Sequence, residues 1–150
     1  MTRRSLVGSH VAVAGGLIKG GLGEADEVEA EVIQVFTGNP RGWAETPVDA
    51  AADEAFRTAC AERAVPVYIH APYLINFGSP SAETLDKSSS ALAYSLRRAT
   101  SIGARAVVVH AGSAVLGNRW DDAVAQTRAR VLPLLDQADP GVRLLIEPTA

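Results

Sequence analysis

His10, His70 and His110 are the only histidines of this chain, and each falls at or near the end of an apolar, β-rich run. The runs are Leu6–Val13, Val65–Ala71 and Ala106–His110, and a further run, Leu144–Ile146, is followed at once by Glu147. Imidazole and carboxylate are the ligand types that zinc or manganese takes in a hydrolytic site. A metal held among them would act as a Lewis acid and lower the pKa of a bound water, giving a hydroxide nucleophile. One histidine after a strand is explained well enough as a hydrogen-bonded structural residue. Three of three, with a glutamate at the equivalent point of a fourth run, are harder to assign to packing and point to a metal site.

Other stretches carry weaker signals. Gly15, Gly16, Gly20 and Gly21 could let backbone N–H groups approach a phosphate, with Gly15 and Gly16 lining the site. No Gly-Lys-Ser/Thr follows, so this is not a P-loop, and Asp26 stands where a dinucleotide fingerprint needs its third glycine. A flexible turn after the first strand is the alternative. In Phe36-Thr37-Gly38-Asn39-Pro40-Arg41-Gly42-Trp43, an arginine beside a tryptophan suits phosphate and sugar contact, and a capped loop with a packed Trp explains it equally. Tyr73, three residues beyond His70, could stack on a base. Cys60 reads as core, and Arg97-Arg98 as a solvated helix face.

The elements that must position these residues alternate. Val32–Thr37 completes a set of five short, near-continuous apolar runs, the pattern of parallel strands covered on both faces. Thr46-Pro47 supplies a cap and first-turn proline for a helix with Ala51, Ala55, Phe56, Ala59 and Cys60 on one stripe. Leu85, Leu92, Leu96 and Ala99 mark a second helix, stopped by Gly103. A third starts near Asp121 and turns Val124, Val131 and Leu135 inward, with Pro133 expected to kink or shorten it. Units of roughly 35 residues fit βαβ crossovers. The class is α/β, as an open doubly wound sheet or as part of an eight-stranded barrel. In either, strand C-termini form the ligand-binding mouth.

Composition bounds the rest. The 150 residues are 47% hydrophobic and 21% charged, with 14 basic against 17 acidic side chains, which suits one ordinary folded domain and excludes disorder. No run approaches the ~20 apolar residues of a membrane span, and the N-terminus lacks the apolar stretch of a signal peptide. A single cysteine fits a reducing compartment, so the expected location is cytoplasmic. The net charge of −3 does not announce a nucleic-acid binder, although 12 of the 14 basic residues are arginine, the better bidentate phosphate ligand.

Taken together, five ordered segments resemble endonuclease IV, the zinc-dependent apurinic/apyrimidinic endonuclease family. They are Gly8-Ser9-His10-Val11 with Ala14-Gly15-Gly16-Leu17, the Phe36–Trp43 loop, His70-Ala71-Pro72-Tyr73-Leu74-Ile75-Asn76, Val109-His110-Ala111-Gly112-Ser113, and Ile146-Glu147-Pro148-Thr149-Ala150. The resemblance implies a (β/α)8 TIM-type barrel holding three zinc ions, monomeric when complete, that cleaves double-stranded DNA on the 5′ side of abasic sites. It implies His70, His110 and Glu147 as metal ligands, with Glu147 bridging two ions at the catalytic centre. Arg41, Trp43, Tyr73 and Asn76 are the implied DNA-binding residues, and His10 lines the site. Pro148 departs from the family's asparagine after the glutamate. The family's remaining ligands lie on strands six to eight, and eight units need roughly 280 residues. Residues 1–150 are therefore expected to be the N-terminal part of one barrel domain, about its first five strands, truncated at the C-terminus and inactive alone. A metal-dependent sugar isomerase or epimerase on the same barrel, or a non-catalytic half-barrel that binds a partner, are the rival readings.

Overall fold

The computed structural model describes residues 4–148. Five strands, β1 (Gly8–His10), β2 (Val32–Val35), β3 (Val67–His70), β4 (Ala106–His110) and β5 (Arg143–Glu147), form one sheet in that spatial order. Every pairing is parallel. A doubly wound sheet reverses its strand order partway. Strictly sequential order instead keeps every right-handed crossover on one side, so the sheet is the first five strands of a TIM-type barrel.

The crossovers carry α1 (Gly23–Glu27), entered through a π-helical turn at Leu17–Leu22, then α2 (Ala50–Glu62), α3 (Ala82–Ile102) and α4 (Trp120–Asp136). Strand side chains alternate between the two faces. Ile33, Val35, Val67, Ile69, Val107 and Val109 are buried under the helices, against Phe56 and Cys60 of α2 and Leu92, Leu96, Ala99 and Ile102 of α3. The alternate positions Gln34, Tyr68 and Val108 stay half-buried on the inner face. Tyr68 and Val108 border an open cleft there with Gly8 and His10. Among the described residues no helix is long and apolar enough to cross a membrane.

Several expected boundaries shift. The first strand is only Gly8–His10, because the chain turns at Gly15 and Gly16, both at positive φ. The glycine-rich stretch folds as a helical turn rather than a flexible one: the Gly16 carbonyl accepts the N–H groups of Gly20 and Gly21. Gly20 is required there, since a Cβ would lie 2.4 Å from the Ala14 carbonyl oxygen. Asp49, not Thr46, caps α2, its carboxylate accepting the N–H groups of Ala51 and Ala52. Pro133 does not stop α4, which runs on to Asp136. Pro133 and Ala129, whose carbonyl loses its helical donor, are both exposed, so the vacant acceptor lies on the solvent side of the helix. Val124 is exposed and Val131 and Leu135 only half-buried, leaving Ala123 as the buried residue of α4.

The largest correction concerns charge. Ala51 and Ala55 face solvent, and the α2 position that turns inward is Asp53. Arg98, expected on a solvated face, is buried against it, with Nη2 donating to Asp53 Oδ1 at 2.8 Å and Nη1 to Oδ2. Ser101 donates to the same carboxylate. Only Arg97 behaves as expected, pairing at the surface with Glu45. Sequence periodicity treats an acid and an arginine as outward-facing, and a reciprocal pair between two helices overrides it.

Burial alone would raise the pKa of Asp53, but hydrogen bonds from Arg98 and Ser101 outweigh it, and the group is held below its ordinary value. A depressed folded-state pKa adds stability above the unfolded value, which is lost as pH falls through the folded one. Asp53→Asn should therefore lower the unfolding free energy by about 3 kcal/mol at pH 7. In urea titrations the gap between parent and variant should narrow as pH drops below the ordinary carboxylate range; a pH-independent gap would refute the pairing. Gly20→Ala should also destabilise, by more than the about 1 kcal/mol that Gly-to-Ala changes in unstrained helices gain.

Candidate metal centre at the strand ends

Sequential parallel strands bring their C-terminal residues together. His10 ends β1, His70 ends β3, His110 ends β4 and Glu147 ends β5, while Phe36 follows directly on β2. His110 and Glu147 are register partners, and the Ala111 N–H donates to the Glu147 carbonyl at 2.9 Å. One ligand atom from each of His70, His110 and Glu147 lies within 4.8 Å of the others.

His70 is the fixed member of this group. It is buried, and its Nδ1 lies 2.6 Å from the Ala71 carbonyl oxygen. A carbonyl only accepts, so Nδ1 carries the proton, and in the neutral ring Nε2 is a bare lone pair. That Nε2 faces Glu147 Oε2 at 3.3 Å. A lone pair and a carboxylate oxygen oppose one another unless a second proton or a cation lies between them. Two imidazoles and a carboxylate, one imidazole braced by a backbone carbonyl, form a set that fits zinc and leaves a coordination position open.

His10 is not part of that group; its ring packs on Phe36, with centroids 4.4 Å apart, and lies 6.2 Å from the ring of His70. Desolvation there pushes its pKa down, proximity to the His70 ring adds to this, and Glu24 opposes it. Gly15 and Gly16 shape the turn after β1 through their positive φ, and the hydrogen bonds of Gly16 run within that turn.

The loops around the centre are tied to one another. Tyr73 is 45% exposed, its ring 5.2 Å from His70 and 5.4 Å from His110, while its N–H donates to the Pro40 carbonyl. This links the Tyr73 loop to the one carrying Arg41. The Arg41 side chain is exposed and makes no ion pair among the described residues, and its N–H donates to Asn39 Oδ1 at 2.9 Å. Trp43, in contrast, is half-buried and packs on the core. Asn76 Oδ1 accepts from the N–H groups of Gly78 and Ser113, so the side-chain carbonyl braces the loops after β3 and β4.

Sequence reasoning misses two residues. Phe36 reads only as the end of an apolar run and the start of a loop, yet its ring touches those of His10, His70 and Tyr73. Tyr94 of α3 is buried and donates its hydroxyl toward the Thr46 and Thr37 carbonyls, at 3.0 and 3.4 Å, pinning both ends of the Arg41 loop. A lone tyrosine on the inward stripe of α3, needing a partner for its hydroxyl, is the available signal.

Comparison with known proteins agrees with this architecture. Residues 22–150 match the family described as xylose isomerase-like TIM barrel. A protein named probable endonuclease 4 from Streptomyces coelicolor is 52% identical over 98% of this chain and 51% of its own length. One of the same name from Mycobacterium leprae is 38% identical over 97% of this chain and 52% of its own. The crystal structure of endonuclease IV from Thermus thermophilus superposes with a TM-score of 0.78 at 34% identity, covering 97% of this chain and 52% of that one. A D-tagatose 3-epimerase-like structure shares the fold, with a TM-score of 0.66 at 12% identity. The chain thus spans about half the length of the curated relatives it matches. By its sheet topology and by this match, it belongs to the xylose isomerase-like TIM barrel family, and its relatives there include proteins named endonuclease 4.

Proposed function

We propose that these residues form the first five units of a single barrel domain in a zinc-dependent endonuclease that cuts duplex DNA on the 5′ side of abasic sites. The observation that carries this reading is the convergence of His70, His110 and Glu147 beside an exposed tyrosine and an exposed arginine with no ion pair among the described residues. Relatives named probable endonuclease 4 support it.

His70, His110 and Glu147 would hold the first of three zinc ions, with Glu147 shared between two of them at the catalytic centre. Bound zinc supplies Lewis acidity toward a phosphoryl oxygen and activates water for attack on phosphorus. The Ala71 carbonyl keeps His70 in the ligating tautomer throughout. Abasic DNA lacks one stacked base, so bending it and displacing the nucleotide cost less than in intact duplex. Tyr73, at the rim and half-exposed, would fill the space the missing base leaves. Arg41 would hold a backbone phosphate bidentately, and Trp43 would stiffen its loop from beneath. Asn76 would serve DNA indirectly by fixing the adjoining loops, with its amide nitrogen left to face substrate.

The decisive experiment joins this sequence to the second half of the Streptomyces coelicolor relative and assays duplex carrying one abasic analogue. The joined protein should incise on the 5′ side and lose activity to a chelator. His110→Ala should reduce zinc content and incision together, by more than the about 100-fold upper range for outer-shell partners. Unchanged incision in that variant would sink the ligand assignment, and conversion of a ketose without incision would favour the isomerase reading. The 150-residue chain alone should not incise, because the ligands expected on strands six to eight are not in it.

A further inference from the structure

Phe36 carries no ligating atom, yet it sits at the centre of the strand-end cluster. Its ring centroid lies 4.4 Å from His10, 5.2 Å from His70 and 5.2 Å from Tyr73. Two features separate it from the other ring neighbours of His70. Tyr73 is 45% exposed on a loop, whereas Phe36 is half-buried and follows immediately on β2. The backbone there is paired on both sides, with Val11 N–H bonded to Gln34 and β2 in register with β3 through Val35 and Ile69. His110 meets His70 edge-on at 5.0 Å, but it belongs to the same candidate ligand set and cannot serve as its external brace.

The hydrogen bond from His70 Nδ1 to the Ala71 carbonyl fixes one atom of the ring and leaves rotation about that contact to be stopped by packing. Tyr73 would abandon its share of that packing whenever it reaches toward substrate. We propose that Phe36 is a positioning residue: its ring holds the His70 imidazole in its ligating orientation whether or not Tyr73 is engaged elsewhere. The inference rests on the metal-centre reading above. It adds that metal affinity depends on a bulky apolar side chain at the end of the neighbouring strand.

The test uses the whole 150-residue chain and zinc alone, with affinity read by competition against a chromophoric chelator. Phe36→Ala should weaken zinc binding by at least about tenfold, the range for loss of an orienting partner, while Phe36→Tyr and Phe36→Leu should stay within about threefold of the parent. A second readout needs no metal. Long-range 1H–15N correlation spectra of the histidine rings should show a single Nδ1–H tautomer for His70 in the parent, in Phe36→Tyr and in Phe36→Leu. In Phe36→Ala they should show averaged tautomers. Should Phe36→Ala not fold, as judged by its thermal transition, Phe36→Val takes its place in both measurements.

A His70 signature unchanged in Phe36→Ala, or in Phe36→Val where that variant stands in, overturns the proposal, whichever way zinc affinity moves. Zinc affinity of the truncated variant equal to the parent's also overturns it. A parent chain that binds no zinc would instead defeat the metal-centre reading, and the ring spectra would then decide the role of Phe36 by themselves.

Discussion

The hydrogen bond between His70 and its own neighbour's carbonyl is the contact on which the centre depends. It commits one ring nitrogen as donor, strips the other to a lone pair, and aims that lone pair at Glu147 across 3.3 Å. An imidazole free to exchange tautomers could donate to the carboxylate and settle into an ordinary polar contact. Held as it is, the pair is favourable only with positive charge between its members. The local backbone therefore favours a proton or a cation between the two groups, because Ala71 is placed by the sheet: its N–H donates to the Val108 carbonyl, which anchors the residue whose own carbonyl faces His70.

That placement comes from topology rather than from any one motif. Strands that follow one another in order and in parallel put residues distant in sequence at neighbouring points on one rim. His70 and Glu147 are 77 positions apart and meet because β3, β4 and β5 are successive neighbours. The outer face of the sheet is closed by α2 and α3 over a well-packed core. The inner face is open, with Leu145 exposed at 41%, and β1 and β5 present unpaired edges among the described residues. In a closed barrel those edges and that face would be covered.

Much of this was legible in the residues. Histidines at the ends of apolar runs could be recognised because parallel strands buried on both faces read as continuous apolar segments, so their ends are visible as abrupt polar residues. Periodicity alone leaves the strand order open, because doubly wound and barrel topologies share the same alternation of elements; the five ordered segments that resemble endonuclease IV select the barrel, and the pairing agrees. Asp53 and Arg98 show the other limit. Each looks solvated when its own helix is considered alone, and the energy that buries them belongs to the pair, across 45 residues. Tyr94 and Phe36 are inconspicuous in the sequence for a similar reason, since what makes them matter is what lies across from them.

The same logic explains why the rim can be both firm and adaptable. Asn76 ties the loop after β3 to the loop after β4 through Ser113, and Tyr94 pins both ends of the loop after β2. These bonds use backbone carbonyls and N–H groups at the bases of the loops, leaving the side chains of Arg41 and Tyr73 at the outside. Under the proposed function, a side chain entering a deformed duplex would gain from having little of its own packing to lose, and Tyr73 would give up only ring contacts with groups that Phe36 and the Ala71 carbonyl would continue to hold. The rigid elements are thus beneath the strand ends, the exposed side chains above, and the lone pair of His70 lies at the boundary between them.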